Sequence, residues 1–413
     1  MPSPSAAAPH WRRDAPLVAL VGGAHSISHF SQLLLAPLFP WLKDAFGVGF
    51  AELGFLLTIF FVVSCVIQTL SGFWVDRFGP RPVLIGGLAL IGCAALGYAM
   101  STSYAMLAAF SVVAGVGNGV FHPVDYTLIN HKVAKAHLGH AYSVHGITGS
   151  LGWALAPVVL VPITVAFSWR VALACAALLV FAVLAVLVVF RRHLELGERH
   201  EPAARSADPG APAEGALDFL RIPAVWMCFG FFFFYAGALS VIQSFAPTAA
   251  GRLHGVPTEL AAMCLTVYMV GSAGGMLAGG FLASNHERSE RIVGIGFGVA
   301  AIVALVLGYA TLPAFAVPVL FGVMGFVTGT AGPSRDIIVK RAAPDNATGR
   351  VYGVVYSGLD IGQAVVPLVI GHLMDLHAYR SVWLALAILQ GVLIVNAFSV
   401  RRVRRTIGVP APA

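Results

Sequence analysis

Twelve apolar segments recur along the chain and constrain its fold more than any other feature. An α-helix rises 1.5 Å per residue, so about 20 apolar residues cross the roughly 30 Å of hydrocarbon in a bilayer. The segments cover residues 16–42, 50–73, 82–100, 103–130, 140–166, 170–190, 224–248, 258–283, 291–310, 313–340, 350–373 and 381–400. They predict an all-α membrane protein with twelve transmembrane helices in two halves of six.

The composition excludes a soluble enzyme. Of the 413 residues, 58% are hydrophobic and only 10% are charged, whereas a soluble protein carries about 25% charged residues. The five cysteines lie singly in apolar stretches, which indicates neither a disulfide framework nor a zinc site. No phosphate-binding loop and no nucleophile with a neighbouring base is evident. We therefore predict that the chain is not an enzyme and has no cofactor.

The basic residues predict the orientation of the helices. If the N-terminus is cytoplasmic, the segments on the outer side hold only Lys43, Arg170, Arg252 and Arg380, while Arg335 falls within a span. All other Lys and Arg residues then lie on the inner side, as the positive-inside rule requires. The net charge of +7 therefore reflects topology, and no nucleic-acid partner is expected. We expect a monomer in the lipid bilayer of a bacterial inner membrane, with both termini cytoplasmic.

Composition also divides the chain into five parts. We predict a disordered cytoplasmic N-terminus over 1–15, a six-helix bundle over 16–190, a cytoplasmic linker over 191–222, a second bundle over 223–400 and a cytoplasmic tail over 401–413. The linker mixes charges with prolines and cannot bury much apolar area. Asp375 and His377 are predicted to lie in a solvated loop on the outer side.

An internal repeat supports two equivalent halves. An offset of 210 residues aligns Gly115 with Gly325, Pro123 with Pro333, and several further identities without a gap. Because the offset spans an even number of helices, the halves are related by an axis along the membrane normal, as in transporters with a cavity at the midplane. The same offset pairs Asp125 with Arg335, which predicts an attraction between them when the cavity closes to the cytoplasm.

The loop after the second span reads Gly72-Phe-Trp-Val-Asp76-Arg77-Phe-Gly79-Pro80-Arg81. It resembles the G-x-x-x-D-R-x-G-R-R signature of the major facilitator superfamily, with Pro80 where a basic residue is usual. The resemblance implies a transporter that works by alternating access. It also implies that a set of motif residues controls conformation, namely Gly72, Asp76, Arg77, Gly79 and Arg81.

Within that superfamily, two further segments resemble the fosmidomycin-resistance branch of drug exporters. They are Ser28-His29 in the first span and Gly115-x-Gly117-x-x-x-Phe121-His122-Pro123 in the fourth. That branch has a carboxylate directly after the His-Pro pair, whereas here Val124 stands there and Asp125 follows. In the fifth span, Gly149-Ser-Leu-Gly152-Trp-Ala-Leu-Ala156-Pro157 partly resembles the signature of antiporters. The resemblance implies export and drug resistance.

Titratable and polar groups within the spans are the candidate functional residues, because a charge at the membrane centre costs about 2.5 to 3.5 kcal/mol on insertion scales. His25, His29 and Gln32 share one face of the first span, as hydrogen-bonding partners of other helices or as the wall of a substrate cavity. His122 and Asp125 lie three positions apart on the fourth span, and we predict that they carry a coupled proton.

Two alternatives to proton coupling at His122 and Asp125 remain open. The two residues could form a structural pair, or they could bind a metal ion together with His25 and His29. His145 lies at a similar depth and could join the same group. The metal alternative implies divalent metal export. A non-transporting receptor is a separate rival function, although a receptor would not need buried titratable groups.

The second half offers a different set of candidates. Arg335 could bind a carboxylate or phosphonate substrate, or it could pair with Asp336 or Asp360 and hold helices together. Further candidates for the cavity wall are Tyr235, Gln243, Tyr268, Tyr352 and Tyr356. The sequence predicts a proton-driven exporter of a small amphiphilic or anionic compound. Proton-linked uptake of an organic acid, with Arg335 as its anchor, is the alternative.

Overall fold

The structure is a computed structural model, and it describes residues 11–134, 137–196, 221, 223–282, 289–342 and 349–406. The first half contains α1 (Trp11–Gln32), α2 (Phe39–Phe46), α3 (Phe50–Phe78), α4 (Pro80–Met100), α5 (Tyr104–Asn118), α6 (Phe121–Lys132), α7 (Leu138–Ala166) and α8 (Trp169–Val189). The second half contains α9 (Pro223–Ser244), α10 (Ala246–His254), α11 (Thr258–Leu282), α12 (Ser289–Tyr309), α13 (Ala316–Ala342), α14 (Gly349–Asp375) and α15 (Tyr379–Thr406). The described residues contain no β-strand, which confirms the all-α prediction.

Three of the predicted spans are each broken into two helices. The first span is α1 followed by α2, the fourth is α5 followed by α6, and the seventh is α9 followed by α10. Pro37 stands in the first break and Pro247 in the first turn of α10. Proline lacks the backbone N–H that would continue the preceding helix, so it favours a new helix start.

Among the described residues, 11 helical segments are long and apolar enough to cross a membrane. The first span is not among them, because Asp14, His25, His29 and Gln32 lower the hydropathy of α1. That helix packs instead against α6 and α7 inside the first half. Its polar residues are therefore held within protein, where they meet partners rather than lipid.

The N-terminal boundary differs from the prediction. Residues 11–15, predicted to be disordered, form the first turn of α1, while residues 1–10 lie outside the described part. Asp14 is buried, and its Oδ2 lies 2.7 Å from Nδ1 of His137 and accepts a hydrogen bond from the N–H of Ala134. These bonds connect the first turn of α1 to the segment that leads into α7.

The predicted linker and tail are described only in part. Arg191–Leu194 forms a short 3₁₀ helix, and Lys132 Nζ donates to the carbonyl oxygens of His193 and Glu195 at 2.7 Å each. Most of the 191–222 linker, residues 197–220 and 222, lies outside the described residues. In the 401–413 tail, α15 continues to Thr406, and residues 407–413 lie outside them.

Glycines paired by the 210-residue offset make equivalent contacts in the two halves. A methyl group on Gly152 of α7 would overlap the carbonyl oxygen of Ser26 in α1. A methyl group on Gly362 of α14, its counterpart, would overlap the carbonyl oxygen of Phe233 in α9. The repeat therefore preserves the close approach of the fifth span of each half, α7 or α14, to the first span, α1 or α9.

The two halves meet along α3 with α14 and along α7 with α11. We call the end of the bundle where α3 finishes the basic end, because Arg77 and Arg81 lie there, and the opposite end the far end. Thr58 Oγ1 donates to the carbonyl oxygen of Ala364 at 2.5 Å, and Gly54 packs on the backbone of Pro367. These contacts close the halves against each other toward the far end.

Asp375 corrects a sequence prediction. It was expected in a solvated loop, but its carboxylate accepts hydrogen bonds from the N–H groups of Phe50 (2.7 Å) and Ala51 (2.8 Å) in the other half. The sequence carried no signal for this contact, because both donors are backbone groups more than 300 residues away in the chain.

Candidate functional site

A cluster of four histidines and one aspartate lies inside the first half. His25 and His29 stand one turn apart on α1, with ring centroids 4.4 Å from each other. α6 contributes His122 and Asp125, and α7 contributes His145. The fold therefore gathers the five titratable residues that the sequence singled out within the membrane spans of this half.

Asp125 is the most enclosed member of the cluster, with 0% of its surface exposed. Its Oδ2 lies 3.1 Å from Nε2 of His145, in hydrogen-bonding geometry. The same oxygen lies 3.0 Å from Nδ1 of His25, which is close enough for an ion pair but off the direction of a hydrogen bond. The second oxygen, Oδ1, is buried with no hydrogen-bond partner among the described residues. A carboxylate in such surroundings requires a proton or a cationic neighbour.

His122 lies in the same cluster as Asp125 but does not contact its carboxylate directly. The direct partners of that carboxylate are His25 and His145 on the neighbouring helices. The His122 ring lies 5.3 Å from the ring of His25 and stacks on Tyr126 at 5.9 Å. The short aspartate side chain reaches toward α1 and α7, whereas the longer histidine lies at the border of the cluster.

Two glycines of α7 make room for the histidines. A methyl group on Gly149 would lie 2.8 Å from Cε1 of His29 and 3.1 Å from Nε2 of His25. Gly152, one turn later, allows the backbone of α1 to approach closely. The segment that resembles the antiporter signature therefore has a local physical role, because it brings α1 into contact with α7.

A second polar group, centred on Asn118, continues the cluster along α1 and was not predicted from the sequence. Asn118, at the end of α5, accepts from Ser28 Oγ at 2.7 Å and donates to Ser64 Oγ at 2.9 Å. Trp153 Nε1 donates to Gln32 Oε1 at 3.0 Å, and the Trp153 ring lies 4.2 Å from the ring of His29. The sequence feature that could have identified Asn118 is its amide side chain, which lies within an apolar span at the point where α5 ends and α6 follows.

The arrangement of the rings disfavours a shared metal ion. One nitrogen from each of His25, His122 and His145 lies within 4.8 Å of the others. However, a metal ion lies in the plane of each imidazole that coordinates it, and the rings of His25 and His145 are stacked face to face, with centroids 3.6 Å apart and an interplanar angle of 24°. A common ion would require one ring to rotate out of this stack.

In the second half, Arg335 packs on an aromatic ring. Its Cζ lies 4.3 Å from the centroid of Tyr235, a distance typical of a cation–π contact. Tyr268 is buried and shares a hydrogen bond of 2.9 Å with Thr328 Oγ1. Tyr235 on α9 and Arg335 on α13 therefore form one partly exposed unit, whereas Tyr268 is a packed residue.

The structure describes the side chains of two of the remaining candidates of the second half. Asp360 Oδ2 accepts from Gln68 Nε2 at 3.4 Å, which places Asp360 where the two halves meet. Gln243 is buried, and its Nε2 has no hydrogen-bond partner in the described part of the chain. The side chains of Asp336, Tyr352 and Tyr356 lie outside the described residues.

Comparison with known proteins establishes the family. Residues 21–321 and 247–413 match the model of the Major Facilitator Superfamily. The chain belongs to the Major Facilitator Superfamily. It is therefore a multi-pass membrane transporter that moves a small molecule across a lipid bilayer, and the predicted fold class is confirmed.

Two relatives and one solved structure cover most of the chain. The fosmidomycin resistance protein of Escherichia coli (strain K12) is 26% identical over 85% of this chain and 86% of its own length. The hexuronate transporter of Bacillus subtilis (strain 168) is 21% identical over 96% of both chains. A bacterial homologue of the human lysosomal transporter Spinster, solved in an inward-facing and unoccupied conformation, superposes with a TM-score of 0.79 at 14% identity, covering 98% of this chain and 100% of its own.

The major facilitator motif lies between α3 and α4 at the basic end. Gly79 has φ of 80°, a conformation that other residues rarely adopt, and Pro80 begins α4, where its missing N–H costs nothing. Arg81 forms an ion pair with Glu195. Arg77 lies over the ring of Phe78, and Asp76 is exposed at the end of α3. Gly72 has open space around it.

Proposed function

We propose that this chain is a proton-coupled secondary active transporter that exports a small amphiphilic or anionic compound by alternating access. The single observation that carries the proposal is the buried carboxylate of Asp125 between His25 and His145. We place the protein in a bacterial inner membrane as a monomer, with the basic end and both termini in the cytoplasm.

The surroundings of Asp125 favour the exchange of a proton over a fixed ion pair. His25 from α1 and His145 from α7 contact the carboxylate directly. The rings of His29 and His122 lie 4.4 and 5.3 Å from the ring of His25 and complete the cluster. Two imidazoles stacked at 3.6 Å repel each other when both are charged. The cluster therefore gains most from a single proton shared between the carboxylate and one imidazole, and such coupled groups load or release that proton as a unit.

We also propose that the structure is an inward-facing state, because hydrogen bonds join the two halves near the far end. The described hydrogen bonds near the far end join α3 to α14. If the basic end is cytoplasmic, the side closed in this structure faces outward.

The orientation in the membrane can be tested by labelling Arg205→Cys in the linker. We expect this cysteine to react only with a reagent applied from the cytoplasmic side.

The choice of an anionic substrate is supported by Arg335 and by the relatives. The guanidinium on Tyr235 is partly exposed and provides a positive charge in the second half. Similarity to a fosmidomycin resistance protein supports a drug as the exported compound. Similarity to a hexuronate transporter supports an organic acid as the substrate of the second candidate function, proton-linked uptake. Both candidates use Arg335 as the anchor for an anion.

Flux in proteoliposomes with an imposed pH gradient would test the function. The panel contains fosmidomycin, a hexuronate and the neutral amphiphile chloramphenicol, each followed in both directions. We expect movement of at least one compound against its gradient, in the direction opposite to the proton flow. Movement in the same direction as the protons would replace export with uptake, and flux that ignores the pH gradient for every transported compound would overturn proton coupling.

A further inference from the structure

The carboxylate of Asp375 joins the two halves at the far end. Asp375 is the last residue of α14, and each of its oxygens accepts one hydrogen bond from the first turn of α3, at 2.7 Å from Phe50 N and 2.8 Å from Ala51 N. We propose that Asp375 is a positioning residue of the transport cycle, whose carboxylate latches α14 onto the N-terminus of α3 and sets the fraction of protein closed at the far end.

The hydrogen bonds of this turn show why the latch needs the other half. A helix leaves its first N–H groups without partners inside the helix. In α3, Gly49 N donates to Glu52 Oε2 at 2.7 Å, so one donor is satisfied within the helix itself. The next two donors, on Phe50 and Ala51, bond to Asp375. A carboxylate is the favoured partner at this position, because the N-terminus of a helix carries a partial positive charge.

Close packing on both sides fixes the position of the carboxylate. A methyl group on Gly49 would lie 2.7 Å from Oδ2 of Asp375, so a larger side chain would displace it. A methyl group on Gly371 would lie 2.6 Å from the carbonyl oxygen of Phe50. The Asp375 carboxylate therefore lies where the backbones of α3 and α14 are in contact, and this packing holds it in place.

The nearby lysine contributes less than the backbone donors. Lys43 Nζ lies 3.8 Å from Oδ1 of Asp375, with side chains that are 38% and 27% exposed. A pair at this distance in contact with water is weak. The helix cap, rather than the ion pair, is the interaction that opening of the far end must break.

Opening separates α3 from α14 and breaks both hydrogen bonds together. Removal of the charge should therefore favour the open form by about tenfold, which corresponds to roughly 1.4 kcal/mol. This inference needs only the alternating access of a major facilitator. It does not depend on the coupling ion, the substrate or the direction of transport, so it can fail while the proposed function stands, and the reverse.

Distances between spin labels can measure the open fraction directly. The full chain, with its native cysteines replaced, carries labels at Ala45→Cys and Arg252→Cys, two exposed positions of the far end in opposite halves, and is placed in lipid nanodiscs. Asp375→Asn is compared with Lys43→Gln and with Glu259→Gln, an exposed carboxylate in the first turn of α11 at the same end.

We expect Asp375→Asn to raise the ratio of long to short distances about tenfold, and the other two variants to stay within about twofold of the wild type. Gly49→Ala tests the same latch from α3, since it displaces the carboxylate without removing its charge, and it should shift the ratio in the same direction. The proposal is overturned if Asp375→Asn and Gly49→Ala leave the ratio within twofold, or if Lys43→Gln shifts it as much as Asp375→Asn.

Discussion

Nε2 of His145 lies 3.1 Å from Oδ2 of Asp125, in a hydrogen bond that joins α7 to α6 inside the first half. The carboxylate is fully buried and the imidazole is 5% exposed. The bond thus connects α6 and α7 through Asp125 and His145, two side chains that can share one proton. Its enclosure by further imidazoles distinguishes it from a surface ion pair, which water would screen.

Packing of α1 on α7 depends on the absence of side chains at two positions. We predict that Gly152→Ala lowers the free energy of unfolding by about 1 to 3 kcal/mol, because the added methyl overlaps the backbone of α1. Gly149→Ala should displace His29 and reduce coupled transport. Gly146→Ala is the matched control, since nothing lies within 4 Å of its added methyl. Thermal unfolding in detergent compares the stability of Gly152→Ala with that of Gly146→Ala, and flux under a pH gradient in proteoliposomes compares the transport of Gly149→Ala with the same control. An equal loss in Gly146→Ala in either measurement would contradict the account.

Asn118 should contribute to stability through its buried partners. Asn118→Ala leaves Ser28 without its acceptor and Ser64 without its donor, so we expect a loss of about 1 to 2 kcal/mol in the free energy of unfolding. Asn130→Ala on the exposed face of α6 removes a bond to Tyr142 and should cost less. Similar losses in the two variants, measured by chemical denaturation, would show that burial of the network is not what matters.

Much of the fold could be predicted from hydropathy, because a lipid solvent requires long apolar helices with internally bonded backbones. The broken spans at Pro37 and Pro247 were less visible, since their apolar runs continue through the breaks. In the site, the sequence identified His25, His122 and Asp125 as a group. It did not give the partners of Asp125, because those depend on how α1, α6 and α7 rotate against each other.

Contacts of acidic side chains with distant segments of the chain were beyond prediction. The partners of Asp375 are backbone N–H groups, which every residue except proline carries, so no residue type in the sequence indicates them. The partner of Asp14, His137, lies 123 residues away in the chain, so nothing near Asp14 indicates an ordered helix start. Both acidic residues cap distant segments, and a single sequence contains no pattern that marks such pairs.

Arg335 should determine affinity for an anionic compound. Arg335→Lys keeps the charge but loses the planar guanidinium that lies over Tyr235 and can bind an anion through two hydrogen bonds. We expect KM for a transported anion of the panel to rise roughly tenfold, with a smaller change for a neutral compound. Arg252→Lys, at an exposed position of the far end, is the control. An equal rise in KM for neutral and anionic compounds would remove Arg335 from substrate binding.

Proton movement driven by a substrate gradient tests the central claim most directly. Proteoliposomes containing a pH-sensitive dye are given a gradient of the transported panel compound, for the wild type, Asp125→Asn and the exposed control Asp44→Asn. We expect the proton signal of Asp125→Asn to fall at least about a hundredfold, while the compound itself still moves down its gradient and both other proteins retain the signal. An undiminished proton signal in a folded, transporting Asp125→Asn protein would contradict the account.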